Sequence, residues 1–137
     1  YNHSATRPVH FLQIWIVPEV SGAKPRYQQE HFSTQKKRGR LQLIISPDGD
    51  KGSLKVRQDA RVYAALIDGK ESAALELAAN RYAYVHVARG NVELNGVQLQ
   101  EGDGVRVRDE QVLTLSNGVD AEVLVFDLRP QELPEMP

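Results

Sequence analysis

No cysteine occurs anywhere in the chain. That excludes disulfides, thiolate metal ligands and thiol nucleophiles. It also fits a reducing compartment, so a cytoplasmic location is expected. An excess of either charge is missing as well. Seventeen Lys and Arg against eighteen Asp and Glu leave a net charge of −1 over 137 residues. Proteins that grip duplex or anionic membrane carry a clear cationic excess, so neither nucleic acid nor membrane is an expected partner. Long apolar runs are absent too. The longest, Phe11 to Val17, is broken by Gln13 and falls far short of the roughly 20 residues a spanning helix needs. No signal-peptide pattern is visible. The chain opens on Tyr1 rather than Met, and Tyr1 to Thr6 has no targeting character. The start therefore reads as an excision point with further chain N-terminal to it.

Catalytic constellations are equally scarce. The four histidines, His3, His10, His31 and His86, form no His-x-His pair. No serine sits in a Gly-x-Ser-x-Gly elbow. Gly102-Asp103-Gly104 opens no helix and so resembles no phosphate loop. Asp48, Asp50, Asp109 and Glu110 supply carboxylates, but in turn-rich text where a solvated turn is the favoured role. The one strong charge cluster, Lys36-Lys37-Arg38-Gly39-Arg40, lacks supporting charge and aromatic platforms and reads as a solvated linker. In Tyr82-Ala83-Tyr84-Val85-His86, alternation puts Tyr82, Tyr84 and His86 on one face. That face is either a polar pocket wall or a half-buried strand with the imidazole bonded to a neighbour, and the second is favoured. The expected catalytic, cofactor-binding and metal-ligating residues of this chain are therefore none.

What is present is β structure. Turn residues recur every six to twelve positions, at Ser46 to Gly52, Asp68-Gly69, Asn95-Gly96, Gly102 to Gly104 and Asn117-Gly118. Between them lie short β-branched and aromatic runs at Leu41–Ser46, Ser53–Arg57, Arg61–Ile67, Tyr82–Ala88, Val105–Arg108, Val112–Leu115 and Glu122–Leu128. Many short strands at this spacing predict a sandwich or barrel. The clearest element is Val92 to Leu99. Asn95-Gly96 suits a type I′ turn, which sets Leu94 opposite Val97 and Val92 opposite Leu99 with both apolar pairs on one face. Ser72 to Ala79 is rich in helix formers but short and enclosed by turns, so a strand is expected. Gln28–Thr34 suits a short helical turn. Arg129 to Pro137, proline-rich and acidic, reads as an extended tail. Phe11 to Val17 is apolar on both faces, as a strand covered on both sides would be.

Leu12-Gln13-Ile14-Trp15-Ile16-Val17-Pro18-Glu19, followed by Pro25-Arg26-Tyr27, resembles the centre of pirin-family proteins, above all the bacterial quercetin dioxygenase branch. The similarity continues in order through Leu43 to Asp48, Gly52 to Val56 with Gln58-Asp59, Gly90-Asn91-Val92 with Asn95-Gly96-Val97, and Val123 to Leu128. It implies an all-β, cupin-type antiparallel barrel, the C-terminal half of a two-cupin protein. On that reading residues 1–40 are the end of the N-terminal cupin (its strand) plus the interdomain linker. Residues 41–137 are a degenerate C-terminal barrel with its tail.

The resemblance also implies where the chemistry lies. In the family an iron, or another divalent metal, is bound by three His and one Glu in the N-terminal barrel. A His-Ser-Glu run precedes a pair like Tyr1-Asn2, which puts the last ligand just before this chain. When Gly90 is taken as the cupin turn glycine, the His-x-His positions fall on Glu76 and Ala78 and the carboxylate position on Tyr82. Only Glu76 is a metal donor. The parent is thus expected to be a quercetin 2,3-dioxygenase acting on a flavonol, with this half inactive and structural. Alternatives are a transcription-coregulator module or a small-molecule barrel using the Tyr82–Tyr84–His86 face. Expected partners are the missing N-terminal cupin domain and, through residues 11–17, a second copy.

Overall fold

The structure is a computed structural model that describes residues 2–130. Eight strands, β1 (Gln42–Ser46), β2 (Leu54–Lys55), β3 (Ala60–Ile67), β4 (Ala73–Glu76), β5 (Tyr82–Leu94), β6 (Val97–Leu99), β7 (Gly104–Val107) and β8 (Val112–Leu128), follow one four-residue helix, α1 (Thr34–Lys37). Their path through the sheet is β2-β1-β3-β8-β5-β6, with β4 also on β8 and β7 also on β5. All pairings are antiparallel except β1 with β2. This is the cupin-type β-barrel that the turn spacing and the resemblance imply.

Two long strands close it. β8 pairs β3 over Ala121–Leu128, pairs β4 over Val112–Leu115, and runs beside β5 from Leu115 to Leu128. The strand text at 82–88 and 92–94 is therefore one strand, and so is the text at 112–115 and 122–128. Asn117-Gly118, expected as a turn, is a bend inside β8, with Asn117 at φ 49° and Asp120 at φ 46°. Gly90, taken as a turn glycine, is a bulge inside β5. Its φ is +69°, and a Cβ there would collide with the carbonyl oxygens of Val119 and Asp120. The bulge inserts a residue, so the buried positions of β5 shift from Ala83, Val85 and Val87 to Val92 and Leu94. One strand thus serves both walls of the barrel while keeping its apolar side inward. Between the walls pack Ile67, Val85, Val87, Val123 and Val125 from one side and Val92, Leu94, Leu99, Leu113 and Leu115 from the other. Each such side chain contributes on the order of 1.5–3 kcal/mol.

The hairpin register is the expected one, Leu94 with Val97 and Val92 with Leu99. Val97, however, is 62% exposed. It lies past the last core layer, so its pairing holds while its burial does not. Ser72 to Ala79 does supply a strand, β4, because β8 offers it a paired edge. The helical turn falls at Thr34–Lys37 rather than 28–34, where Ser33 caps it by accepting from Lys36 N–H. Residues 53–57 form only the two-residue β2. Beside it the side-chain amide of Gln28 both accepts from Lys55 N–H and donates to Lys55 C=O, taking the place of a neighbouring strand. Of the expected tail, Gln131 to Pro137 lies outside the described residues.

The largest departure is Phe11 to Val17, which forms no strand. Among the described residues no strand pairs with it. It runs as an extended strap pinned at both ends. His10 Nδ1 accepts from Arg89 Nε at 3.2 Å. At the other end Gln58 Nε2 donates to Val17 C=O at 2.8 Å and Glu19 N–H donates to Arg57 C=O at 2.9 Å. These anchors stand on β5 and just ahead of β3, about 10 Å apart across the sheet. The residues between reach up to about 25 Å, so the strap crosses the outer face diagonally. Ala60 and Val62, which point away from the main core, lie fully buried on that face.

One ion-pair cluster locks the ends of β5 and β8. Arg81, 13% exposed, donates Nε to Asp127 Oδ1 at 2.8 Å and Nη1 to Asp59 Oδ2 at 2.7 Å. Its Nη2 reaches the backbone oxygens of both. Burial works against the guanidinium charge, yet the bonds to Asp127 and Asp59 outweigh it and hold the group above its ordinary value. Asp127 is nearly as buried, at 12%, while Asp59 is 46% exposed. Removing the buried partner leaves a charge poorly solvated, and removing the exposed one does not. Asp127→Ala is therefore expected to cost about 3 kcal/mol and Asp59→Ala about 1 kcal/mol or less, read from urea unfolding midpoints. At the hairpin, a Cβ on Gly96 meets nothing within 4 Å, yet φ is +81°. Gly96→Val should then cost about 1 kcal/mol or more through backbone strain alone. An unchanged midpoint would contradict it.

Candidate functional site

A barrel of this kind opens where strand ends and loops meet, and one cleft of this one lies at such an end. β4 finishes at Glu76 and β5 begins at Tyr82. The loop between them turns through Asn80 at φ 63°, and the β7–β8 connection turns through Asp109 at φ 60°. Leu77 N–H donates to Gln111 C=O at 2.8 Å and ties the two loops together. They enclose a cleft of about 820 Å³ lined by Glu76, Ala78, Arg81, Tyr82, Asp109 and Gln111, among others. The three positions matched to a ligand set, Glu76, Ala78 and Tyr82, thus do come together at one cleft. Their chemistry does not make a metal site. Alanine has no donor, and one monodentate carboxylate leaves most of a coordination sphere unfilled. Tyr82 is engaged elsewhere, with the Arg108 guanidinium 5.2 Å from its ring centroid. Arg81 already serves Asp59 and Asp127. The cleft mouth is left with Glu76, Asp109 and Glu110, an acidic rim. Among the described residues no three His, Cys, Asp or Glu side chains converge as a metal would require.

His86 stands apart from that cleft. It is half-buried on β5 and lines a second hollow, about 480 Å³, together with His10, Arg89 and Glu101. The expected bond to a neighbour is not there: the imidazole makes no hydrogen bond among the described residues. Tyr84, the middle of that face, is paired edge-on with Phe126 at a centroid distance of 6.0 Å. The face is therefore a strand surface with its own internal contacts, bordered by the strap. His31 lies on the exposed stretch ahead of α1, and His3 on the exposed N-terminal stretch.

The carboxylates in turns behave as turns. Asp48 accepts from Asp50 N–H and from Ser46 Oγ–H, and these bonds hold its carboxyl below the ordinary value. Asp109 and Glu110 are exposed. The basic run is only partly a free surface. Arg38 pairs with Glu71 at 3.2 Å, and Gly39 N–H donates to Leu66 C=O at 2.8 Å, which docks this stretch on β3. Among the described residues no nucleophile, base and acid come together. What the sequence reading missed is Arg81 with its two aspartates. The one signal was Asp127 itself, an acid at an inward position of the apolar run Val123 to Leu128.

Comparison with known proteins agrees with the geometry. A family profile described as the quercetinase C-terminal cupin domain matches residues 43–128. A quercetin 2,3-dioxygenase of Escherichia coli K12 is 42% identical over 130 residues, 95% of this chain and 55% of its own. A pirin-like protein of Caulobacter vibrioides is 34% identical over 117 residues, 85% of this chain and 50% of its own. Among solved structures, YhhW of E. coli superposes with a TM-score of 0.79 at 39% identity, covering 88% of this chain and 50% of that one. The chain thus spans about half the length of the curated relatives it matches. Among the described residues no helix is long and apolar enough to cross a membrane. The chain belongs to the pirin family, as a quercetinase C-terminal cupin domain.

Proposed function

We propose that this chain is the non-catalytic half of a metal-dependent quercetin 2,3-dioxygenase. The parent's iron, or another divalent metal, is held in a cupin barrel N-terminal to Tyr1, and the present barrel packs beside it. The observation that carries the reading is the cleft at Glu76. The places where a cupin's ligands would stand come together there, and two of the three bear Ala78 and Tyr82. A barrel that keeps this geometry without its donors serves by packing rather than by binding oxygen. Relatives support the reading: several bear the name quercetin 2,3-dioxygenase, and bacterial pirin YhhW has been solved in complex with nickel(II). The residues of this chain do not fit such an ion, so no step of the reaction is assigned to them. Their part is to hold the strap, and through it the chain that precedes Tyr1, against the outer face of the sheet.

Two measurements test this. Purified without an affinity tag, the chain should contain well under one equivalent of iron, nickel or copper by elemental analysis. It should also leave quercetin and dissolved oxygen unchanged when iron is added, while the same protein carrying its preceding barrel consumes both. A tightly held stoichiometric metal would contradict the proposal. So would quercetin turnover by this chain that disappears in His86→Ala.

A further inference from the structure

The tripeptide Asn-Gly-Val occurs twice in the chain, at Asn95-Gly96-Val97 and at Asn117-Gly118-Val119. An Asn-Gly pair is a covalent weak point. Glycine has no side chain to block approach, so its backbone nitrogen can attack the asparagine Cγ. A five-membered succinimide forms, the glycine nitrogen loses its proton, and the side-chain amide leaves as ammonia. Water then opens the ring at either carbonyl. One opening gives aspartate and the other gives isoaspartate, in which the former side chain has entered the main chain. Water is the only co-reactant, and nothing is oxidised or reduced.

The two pairs share a backbone conformation. Asn95 and Asn117 are both exposed and both left-handed, at φ 48° and 49°. They differ in what holds the side chain. Asn95 is tied at both of its polar atoms: Oδ1 accepts from Thr114 N–H at 2.7 Å and Nδ2 donates to Val112 C=O at 3.0 Å. Both partners are main-chain groups at β8, so Cγ swings toward Gly96 only if two bonds break together. Asn117 is tied once, by Nδ2 donating to Glu93 Oε2 at 3.0 Å, and that partner is the end of a half-buried side chain with rotamer freedom of its own. Among the described residues Asn117 Oδ1 accepts no hydrogen bond. The bend also fixes the pair in place. A Cβ at position 118 would collide with Ile67 C=O, so that position takes glycine alone.

We propose that Asn117-Gly118 is a self-modification site, converting to aspartate and isoaspartate in the folded protein, while Asn95-Gly96 is protected. The consequence falls on the bend of β8. Either product puts a second carboxylate beside Glu93 where an amide donor stood, and like charges at that distance repel. Isoaspartate also lengthens the main chain where β8 passes from one wall to the other. The β5–β8 ladder therefore weakens as the protein ages.

The test is peptide mapping by mass spectrometry through a long incubation in mildly alkaline buffer. The folded chain is run beside the same chain unfolded in guanidinium chloride and beside the longer protein carrying its preceding barrel. Unfolded, the two identical tripeptides should convert at similar rates. In the folded chain and in the longer protein, Asn117 should convert severalfold faster than Asn95. Equal rates in the folded protein overturn the proposal. So does a faster Asn95, or an Asn117 that stays intact over the time in which the unfolded chain converts. Urea unfolding midpoints are measured on the same aged samples. The parent midpoint should fall with age. Asn117→Gly keeps the left-handed conformation without the amide, so its midpoint should hold. An age-dependent loss that Asn117→Gly shares overturns the assignment to this bend. None of these outcomes depends on metal or turnover, so the proposal can fail while the functional reading stands.

Discussion

The ladder between β5 and β8 is the interaction on which the rest of the barrel depends. These are the two longest strands, and every other strand except β1 and β2 hydrogen-bonds to one of them. Straight strands of that length would make one flat sheet with no interior. The bulge at Gly90 and the left-handed bends at Asn117 and Asp120 let the pair curve and pass from one wall to the other. Gly90 lies directly against the backbone of Val119 and Asp120, so the bend in one strand is seated in the bend of the other. The same contact therefore sets the curvature of both strands.

Arg81 secures that ladder at the end where it begins. Hydrophobic burial sets the stability of the barrel, but it does not fix which residues of two smooth valine-rich strands face each other. A guanidinium held by Asp127 on β8 and by Asp59 ahead of β3 does so, because its fork admits one geometry. Arg81 also lines the Glu76 cleft. In this half, the cleft's cationic group is engaged in holding strands together, which leaves the acidic rim without a counter-charge of its own.

Much of this was legible in the chain, and the failures share a cause. The Asn95-Gly96 hairpin was readable to the residue because turn type and alternation are both local. Its turn also holds more than backbone: the Asn95 side chain donates to Val112 C=O and accepts from Thr114 N–H, fastening the hairpin to β8. That partner is far along the chain and gave no local sign. Asn117-Gly118 has the same dipeptide text and became a bend within a strand, because the chain on both sides of it already had pairing partners in β4, β5 and β3. The missing ligands were readable as residue types. The match of Glu76, Ala78 and Tyr82 to a ligand set rested on family resemblance, and that all three line one cleft came only from the fold. The double-sided apolar text at residues 11–17 was read as a strand; it is extended and two-sided, but the strand pairing that would complete it is not supplied by this chain.

The order of pairing also bears on how such a chain comes into being. β8 is the last strand, ending at Leu128, and it is the strand that β3, β4 and β5 all need. As the chain leaves the ribosome, β3 emerges with only β1 to pair and β4 with no partner until Val112 to Leu128 has followed. The barrel is thus completed only once Leu128 has emerged. A pause or truncation that loses the C-terminal strand would leave three unpaired strand edges in the nascent chain, which is the condition that recruits chaperones or leads to aggregation.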